Sequence, residues 1–241
     1  MAQALIDKDD IRNSFLVTKM YKETGDWPHE TIAACKIICT DKNGGKWVSH
    51  QIYKNSFRHA EKKLIEYLRW LGNALEAGKI IINIYMNYSP CNKCARKILK
   101  YIKEMNSPNS EIEMTITFAN FYQTHVYTEI DIDIASANIE GLKKLKEHKA
   151  MKLRLLGVHV KWERFLDMSE FFSLTEEEKD ECLDEACSNE RQRREIQDQM
   201  VWDKIFNDGV GVITSGLNSD LLVAMGNLSV SCKENIFGRK T

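Results

Sequence analysis

Residues 80–105 read IIINIYMNYSPCNKCARKILKYIKEM, and the hydrophobic period changes in the middle of the stretch. Ile80, Ile82, Ile84, Met86 and Tyr88 alternate with their neighbours, as in a strand with one buried face. Beyond Ser89 and Pro90, the residues Cys91, Cys94, Ala95, Ile98, Ile102 and Met105 fall on one face of a helix, with Pro90 at its start. A strand that runs through a short turn into a helix is half of a crossover unit, and the flanking sequence supplies the rest. Upstream, Thr31 to Thr40 reads as a strand, DKNGG at 41–45 as a turn, Trp47 to Tyr53 as a second strand, and Ala60, Leu64, Ile65, Leu68 and Leu71 as a helix. Downstream, Ile112, Met114, Ile116 and Phe118 alternate as a fourth strand. A loop from about 120 to 133, a helix through Ile139, Leu142 and Leu145, and a fifth strand from Leu153 to Val160 follow. Ahead of everything, Asp9 and Asp10 precede Ile11, Phe15, Leu16 and Met20 at helical spacing.

The order α-ββ-α-β-α-β-α-β predicts an α/β fold, a three-layer α/β/α sandwich on a five-stranded mixed sheet. Strands joined through a helix pair in parallel, so strands three to five form a parallel run and the opening hairpin adds antiparallel pairing at the other side. After Trp162, one group (Phe171, Phe172, Leu174, Leu183, Ala186) and a second (Ile196, Met200, Val201, Ile205) predict two additional C-terminal helices. The expected organisation is a domain over 1–206, with an acidic helical part at about 163–206, and a tail at 207–241 whose glycines and polar interruptions give it no assignable structure.

Composition narrows the class. The chain has 241 residues, 43% apolar and 29% charged, enough to bury a core and too apolar for a disordered chain. No apolar run reaches the length of about 18 residues that a membrane helix needs, and MAQALIDKDD lacks the basic and apolar regions of a signal peptide. Seven cysteines without a secretory signal read as thiols or metal ligands, so cytosol or nucleus is the expected compartment. Charge is unevenly placed: residues 1–162 hold 25 Lys and Arg against 18 Asp and Glu, and residues 163–241 hold 9 against 17. A basic body suits an anionic partner, although a solvated face gives the same pattern.

His59-Ala60-Glu61 is followed 28 residues later by Pro90-Cys91-Asn92-Lys93-Cys94. One imidazole and two thiolates make three zinc ligands, which leaves a fourth tetrahedral position open, as in catalytic sites. Cys91 and Cys94 are spaced to share one side of a first helical turn, where the helix dipole lowers thiol pKa. Glu61 need not be a ligand; beside a metal site it serves as general acid and base. A CxxC alone also occurs in redox and structural zinc sites, but His-x-Glu followed by Pro-Cys-x-x-Cys is the mark of zinc nucleobase deaminases.

From about Asp9 to Phe206 the chain resembles the AID/APOBEC polynucleotide cytidine deaminases. Ser89-Pro90-Cys91 with Cys94-Ala95-Arg96 resembles the family's S-W-S-P-C-x-x-C-A-R segment, with Asn87-Tyr88 in place of Ser-Trp. His29-Glu30-Thr31-Ile32 resembles the start of its first strand, Asn55 the Asn ahead of the histidine ligand, and Ala119-Asn120-Phe121-Tyr122 the end of its fourth strand. The resemblance implies that Thr31 and Asn55 hold the target sugar and phosphate and that Tyr88 and Tyr122 enclose a flipped cytosine. It further implies that the Ala60 N–H meets the base carbonyl and the Ser89 carbonyl meets the exocyclic amine. Trp27, His29, Phe121, Tyr122 and Tyr127 would border the groove for flanking bases, with Lys54, Arg58, Lys93, Arg96 and Lys97 as candidate phosphate contacts. On the residues alone, Tyr88 also reads as a core aromatic, Thr31 as an ordinary strand residue and Asn55 as a turn residue.

The expected activity is zinc-dependent hydrolysis of cytosine to uracil in single-stranded DNA, with Zn2+ as cofactor. RNA or dCMP deamination, and a nucleic-acid-binding restriction protein in which catalysis is dispensable, are the alternatives. Antiviral defence and receptor diversification use the same chemistry, and the site does not choose between them. Glu129, Asp131 and Asp133 depart from the family's pattern in the loop after Tyr122, and the acidic C-terminal part raises two alternative expectations, weak DNA affinity or an autoinhibitory tail lying over the basic body. Cys35 and Cys39 are expected as core thiols; Cys182, Cys187, His125, His148 and His159 show no ligand spacing.

Overall fold

The computed structural model describes residues 5–16, 30–55, 59–75, 77–105, 111–124 and 132–207. Within them, five strands form one mixed sheet: β1 (Thr31–Asp41), β2 (Lys46–Asn55), β3 (Ala77–Tyr88), β4 (Glu111–Asn120) and β5 (Met151–Leu155), in the order β2-β1-β3-β4-β5. β1 pairs antiparallel with β2 and with β3; β3–β4 and β4–β5 are parallel. This is the topology expected from the alternation of strand and helix patterns.

The hairpin turn is set by Asp41 and Gly44. The Asp41 carboxylate accepts the N–H groups of Asn43 (2.7 Å) and Gly45 (2.8 Å), and Gly44 has φ +85°, a conformation that favours glycine.

Strand parity divides the core in two. Ala33, Cys35, Ile37 and Cys39 of β1 face one side with Ile80, Ile82 and Ile84 of β3 and Met114, Ile116 and Phe118 of β4. Against that side pack α2 (Ala60–Leu75), α3 (Asn92–Met105), α4 (Ile132–Glu147) and the C-terminal α7 (Asn189–Phe206). Ile32 and Ala34 face the other side. It is covered by the N-terminal segment, α1 (Lys8–Asp10) with the π turn Ile11–Phe15, and by α5 (Trp162–Leu166) and α6 (Glu176–Ala186). The layers are therefore helix, sheet, helix. Among the described residues, no helix is long and apolar enough to cross a membrane.

Three expectations are corrected. The first helix is capped by Asp7, not by Asp9 or Asp10: Asp7 accepts the Asp10 N–H (2.8 Å) and the Asp10 carboxylate accepts the Asp7 N–H, after which the chain widens into the π turn. Met20 lies outside the described residues. β5 ends at Leu155 instead of running to Val160, because Gly157 (φ +85°) turns the chain and its N–H donates to the Val160 carbonyl at 2.7 Å. A Cβ at Gly157 would clash with the Glu195 carboxylate, so the turn is also closed by packing.

The C-terminal part holds three helices where two were expected. Phe171, Phe172 and Leu174 lie between α5 and α6 in an extended segment that exchanges backbone hydrogen bonds with Ile6. The acidic α6 is one part of the C-terminal segment, whose residues beyond 207 lie outside the described residues. It packs on the sheet's other side, where Glu181 and Glu185 pair with Lys8 and Arg12.

Candidate active site

His59 and Cys91 occupy equivalent places, each immediately ahead of a helix. His59 precedes α2 and Cys91 caps α3, with its carbonyl accepting the Ala95 N–H at 2.8 Å. Cys94 follows in the first turn of α3, so both sulfurs share the positive end of one helix. The ligand atoms of His59, Cys91 and Cys94 all lie within 4.8 Å of one another, and Cys91 Sγ is 3.7 Å from His59 Nδ1. Glu61 stands in the first turn of α2, 3% exposed, and its Oε2 has no hydrogen-bond partner among the described residues.

Electrostatics follow from that crowding. The Cys94 thiol donates to Cys91 and His59 lies beside it, so the Cys91 thiol is held well below its ordinary range. Cys94 is raised in turn, by Cys91 first and by burial. His59 is raised chiefly by its hydrogen bond with Cys91. Burial pushes Glu61 up to about 7, with the negative Cys91 acting in the same direction. A borderline-soft N and S donor set beside an orphaned buried carboxylate oxygen fits a divalent metal with a water next to it.

Around this centre stand several residues singled out from the sequence. Ala60 is fully buried at the start of α2. Tyr88 and Ser89 are buried at the end of β3; the Tyr88 ring centroid is 5.9 Å from that of Tyr122, and Tyr122 meets the His59 ring edge-on at 6.3 Å. Burial, with Cys91 and Glu61 adding to it, raises the Tyr122 hydroxyl. Thr31 opens β1 directly opposite Asn55, the last residue of β2. Lys93, Arg96 and Lys97 are exposed on α3.

Two assignments do not hold. Phe121 is fully buried against Phe118, ring centroids 5.1 Å apart, and is a core residue instead of a groove aromatic. Lys54 is paired with Asp10 and is not a loose phosphate contact. Trp27, His29, Arg58 and Tyr127 lie outside the described residues.

What holds the site together is a set of buried amides that sequence reading missed. The Asn87 side chain accepts the Ile32 N–H (2.9 Å) and donates to the Glu30 carbonyl (2.9 Å), bracketing Thr31. Asn120 donates to the Asn87 carbonyl at 3.1 Å. Ser89 ties β3 to β4 twice: its N–H donates to the Asn120 carbonyl (2.8 Å) and its Oγ accepts the Tyr122 N–H (2.9 Å). Asn138 of α4 accepts the Asn92 N–H at the start of α3 (2.9 Å) and donates to the Gln123 carbonyl (3.1 Å). Its reach depends on Gly141, where a Cβ would lie 2.9 Å from Asn92 Cα. The available signal was a polar residue in an apolar stripe: Asn120 continues the Ile112–Phe118 alternation, and Asn138 lies on the stripe of Ala135, Leu142 and Leu145.

A model of the APOBEC3 cytosine deaminase domain matches residues 26–172. The chain belongs to this family. No curated protein matches it. The match spans β1 to α5 and includes every residue of the His59, Glu61, Cys91 and Cys94 cluster, so the deaminase is a cytidine deaminase by family and carries a site compatible with its metal. α6 and α7 lie beyond the match, yet α7 belongs to the deaminase core: Trp202 packs on Phe118 (6.3 Å) and His159 (4.6 Å). The fully buried Arg191 sits over the Trp162 ring at 5.1 Å, with a guanidinium nitrogen 3.4 Å from the Ala119 carbonyl.

Proposed function

We propose that the deaminase converts cytosine to uracil in single-stranded DNA, with His59, Cys91 and Cys94 holding Zn2+. The observation that carries this is the convergence of the three ligand atoms with the buried Glu61, under the paired rings of Tyr88 and Tyr122. Zinc, when bound, supplies a Lewis acid that makes water nucleophilic near neutral pH.

The chain's own residues do the rest. Water adds to C4 of the ring; Glu61 takes a proton from the water and delivers it to the adjacent ring nitrogen. A second transfer through Glu61 to the exocyclic amine releases ammonia and leaves the uracil carbonyl. A carboxyl group pushed up toward neutrality suits both directions of that shuttle.

Tyr122 and Tyr88 give an extruded base aromatic surfaces to rest against. The Ala60 N–H and the Ser89 carbonyl would read its edge, and Thr31 and Asn55, level with each other across the hairpin, would hold its sugar and phosphate. Lys93, Arg96 and Lys97 on α3 have no ion-pair partner among the described residues, and Lys97 is close enough to lower His59 against the effect of Cys91. A basic stripe beside the cluster supports a polyanionic strand over a free nucleotide.

The test is uracil formation from cytosine-containing single-stranded DNA, matched RNA, duplex DNA and dCMP, at two salt concentrations. The expected result is product from single-stranded DNA, falling as salt rises. Product from RNA or dCMP alone would replace DNA with that substrate.

A further inference from the structure

On the face of the sheet turned away from α2 and α3 lies a cavity of about 340 Å3, unrelated to the metal-ligand cluster. Its floor spans four strands. Lys36, Asn83 and Thr115 are aligned by register across β1, β3 and β4, and Tyr85, Thr117 and Arg154 across β3, β4 and β5. Partners in adjacent strands stand about 4.8 Å apart, so the two rows form a continuous polar surface. Arg164 of α5, with Asp167, Met168 and Glu170 after it, forms the wall.

That floor is unusual for its position. Of the strands in the floor, β4 has parallel neighbours on both sides, and strands so placed are covered on both faces and read as continuous apolar runs. Here the opposite face of the same strands does so, with Ile82, Ile84, Met114 and Ile116, while the cavity face carries an amide, three hydroxyls and two cations. Polar groups on a central sheet face are stable when hydrated or when a polar ligand meets them.

The charges identify which kind of ligand. Of the two acids of the wall, Glu170 is matched, 3.0 Å from Lys36 Nζ and 3.7 Å from His50 Nε2, whereas Asp167 is 4.0 Å from Lys179 Nζ, a lysine that Glu176 holds more closely at 2.8 Å. Arg154 and Arg164 have no ion-pair partner among the described residues. Three cations face two acids in the lining, and the two guanidinium groups without an ion-pair partner, beside threonine hydroxyls, form a recognition pattern for a phosphate group, which arginine grips through paired N–H donors. The space is at the lower end of small-molecule sites, roughly 300–1,000 Å3, and Tyr85 and Met168 give the rest of a ligand something to lie on.

We propose that this cavity binds a phosphate monoester of about mononucleotide size, gripped by Arg154 and Arg164 over the Thr115, Thr117 and Asn83 floor. The site is independent of the deamination chemistry, since Lys36, Asn83, Thr115 and Arg154 all have the strand parity opposite to the residues beneath α2 and α3.

The test is calorimetric titration of the full chain with adenosine 5'-monophosphate, which carries no cytosine, beside adenosine and inorganic phosphate. The expected result is one nucleotide bound per chain, more tightly than either fragment. The double variant R154Q/R164Q, whose side chains are exposed and whose fold is checked by thermal melting, should weaken binding roughly tenfold or more. Glu61→Gln should leave it unchanged, which separates this cavity from the active site. Absence of binding at millimolar nucleotide, equal binding of adenosine, equal binding of inorganic phosphate, or an unaffected R154Q/R164Q variant would each overturn the proposal.

Discussion

Replacing Asn138 with Leu tests whether the active site is braced from α4. Leucine is close to asparagine in size, so the change removes hydrogen bonds with little cavity. The Asn92 N–H and the Gln123 carbonyl, held at 2.9 Å and 3.1 Å, lose their partner. Each part-buried orphan costs up to about 1–3 kcal/mol, together at most about 2–6 kcal/mol, which most domains of about 5–15 kcal/mol survive. Gln123 has φ +44°, an uncommon conformation for a residue with a side chain, and without Asn138 that turn relaxes and Tyr122 moves with it. Urea denaturation should show the stability loss, and kcat/KM should fall roughly tenfold or more. In a Tyr122→Ala background the same substitution should change kcat/KM by no more than about twofold, because the group it positions is already gone. Fully additive losses in that cycle, or a stability change below about 0.5 kcal/mol, would refute the reasoning.

Glu61→Gln keeps the shape of the buried side chain and removes its proton-carrying capacity; the deamination rate should drop by about 10²-fold or more while metal content is retained, as read by a uracil assay and elemental analysis of one preparation. Chelation should abolish activity and lower the melting temperature, because a ligand bound to the folded state alone stabilises it, and returning zinc should restore both. The pH dependence of stability should carry a His159 signature. Partial burial, with Lys146 and Arg154 nearby, lowers its pKa, and its Nδ1 accepts the Leu155 N–H at 2.9 Å. The folded state then binds fewer protons than the unfolded one, so this stability is fully present above about pH 6.5 and is lost as pH falls below it. His159→Asn should flatten the decline in melting temperature between about pH 7 and 5.5; an unchanged slope would remove His159 from that account.

Much of the fold was legible because period and turn chemistry agree along the chain. The alternation from Ile80 to Tyr88, the shift to helical spacing after Pro90 and the DKNGG turn all point to one topology, and the sheet order follows from the connections. The cluster was legible too, since His59, Glu61, Cys91 and Cys94 each sit at the start of a helix that hydrophobic spacing locates. The errors have physical causes. An aromatic after a strand looks the same whether it faces a groove or the core, and Phe121 turns inward onto Phe118. Gly157 ends β5 through a left-handed turn that the apolar run Leu153–Val160 conceals. Phe171 and Phe172 are buried by pairing with Ile6, a contact across most of the chain that no local period encodes. Asn87, Asn120 and Asn138 act through backbone groups of distant elements, so their roles emerge only once those elements are assembled.

Zinc analysis with X-ray absorption spectroscopy on the purified chain, alongside uracil formation in the same sample, tests the central claim most directly. The account predicts one zinc per chain, with two sulfur ligands near about 2.3 Å and nitrogen or oxygen ligands near about 2.0–2.1 Å, and activity in proportion to zinc content. Uracil formation undiminished in metal-free protein, or zinc bound without sulfur ligands, would contradict it.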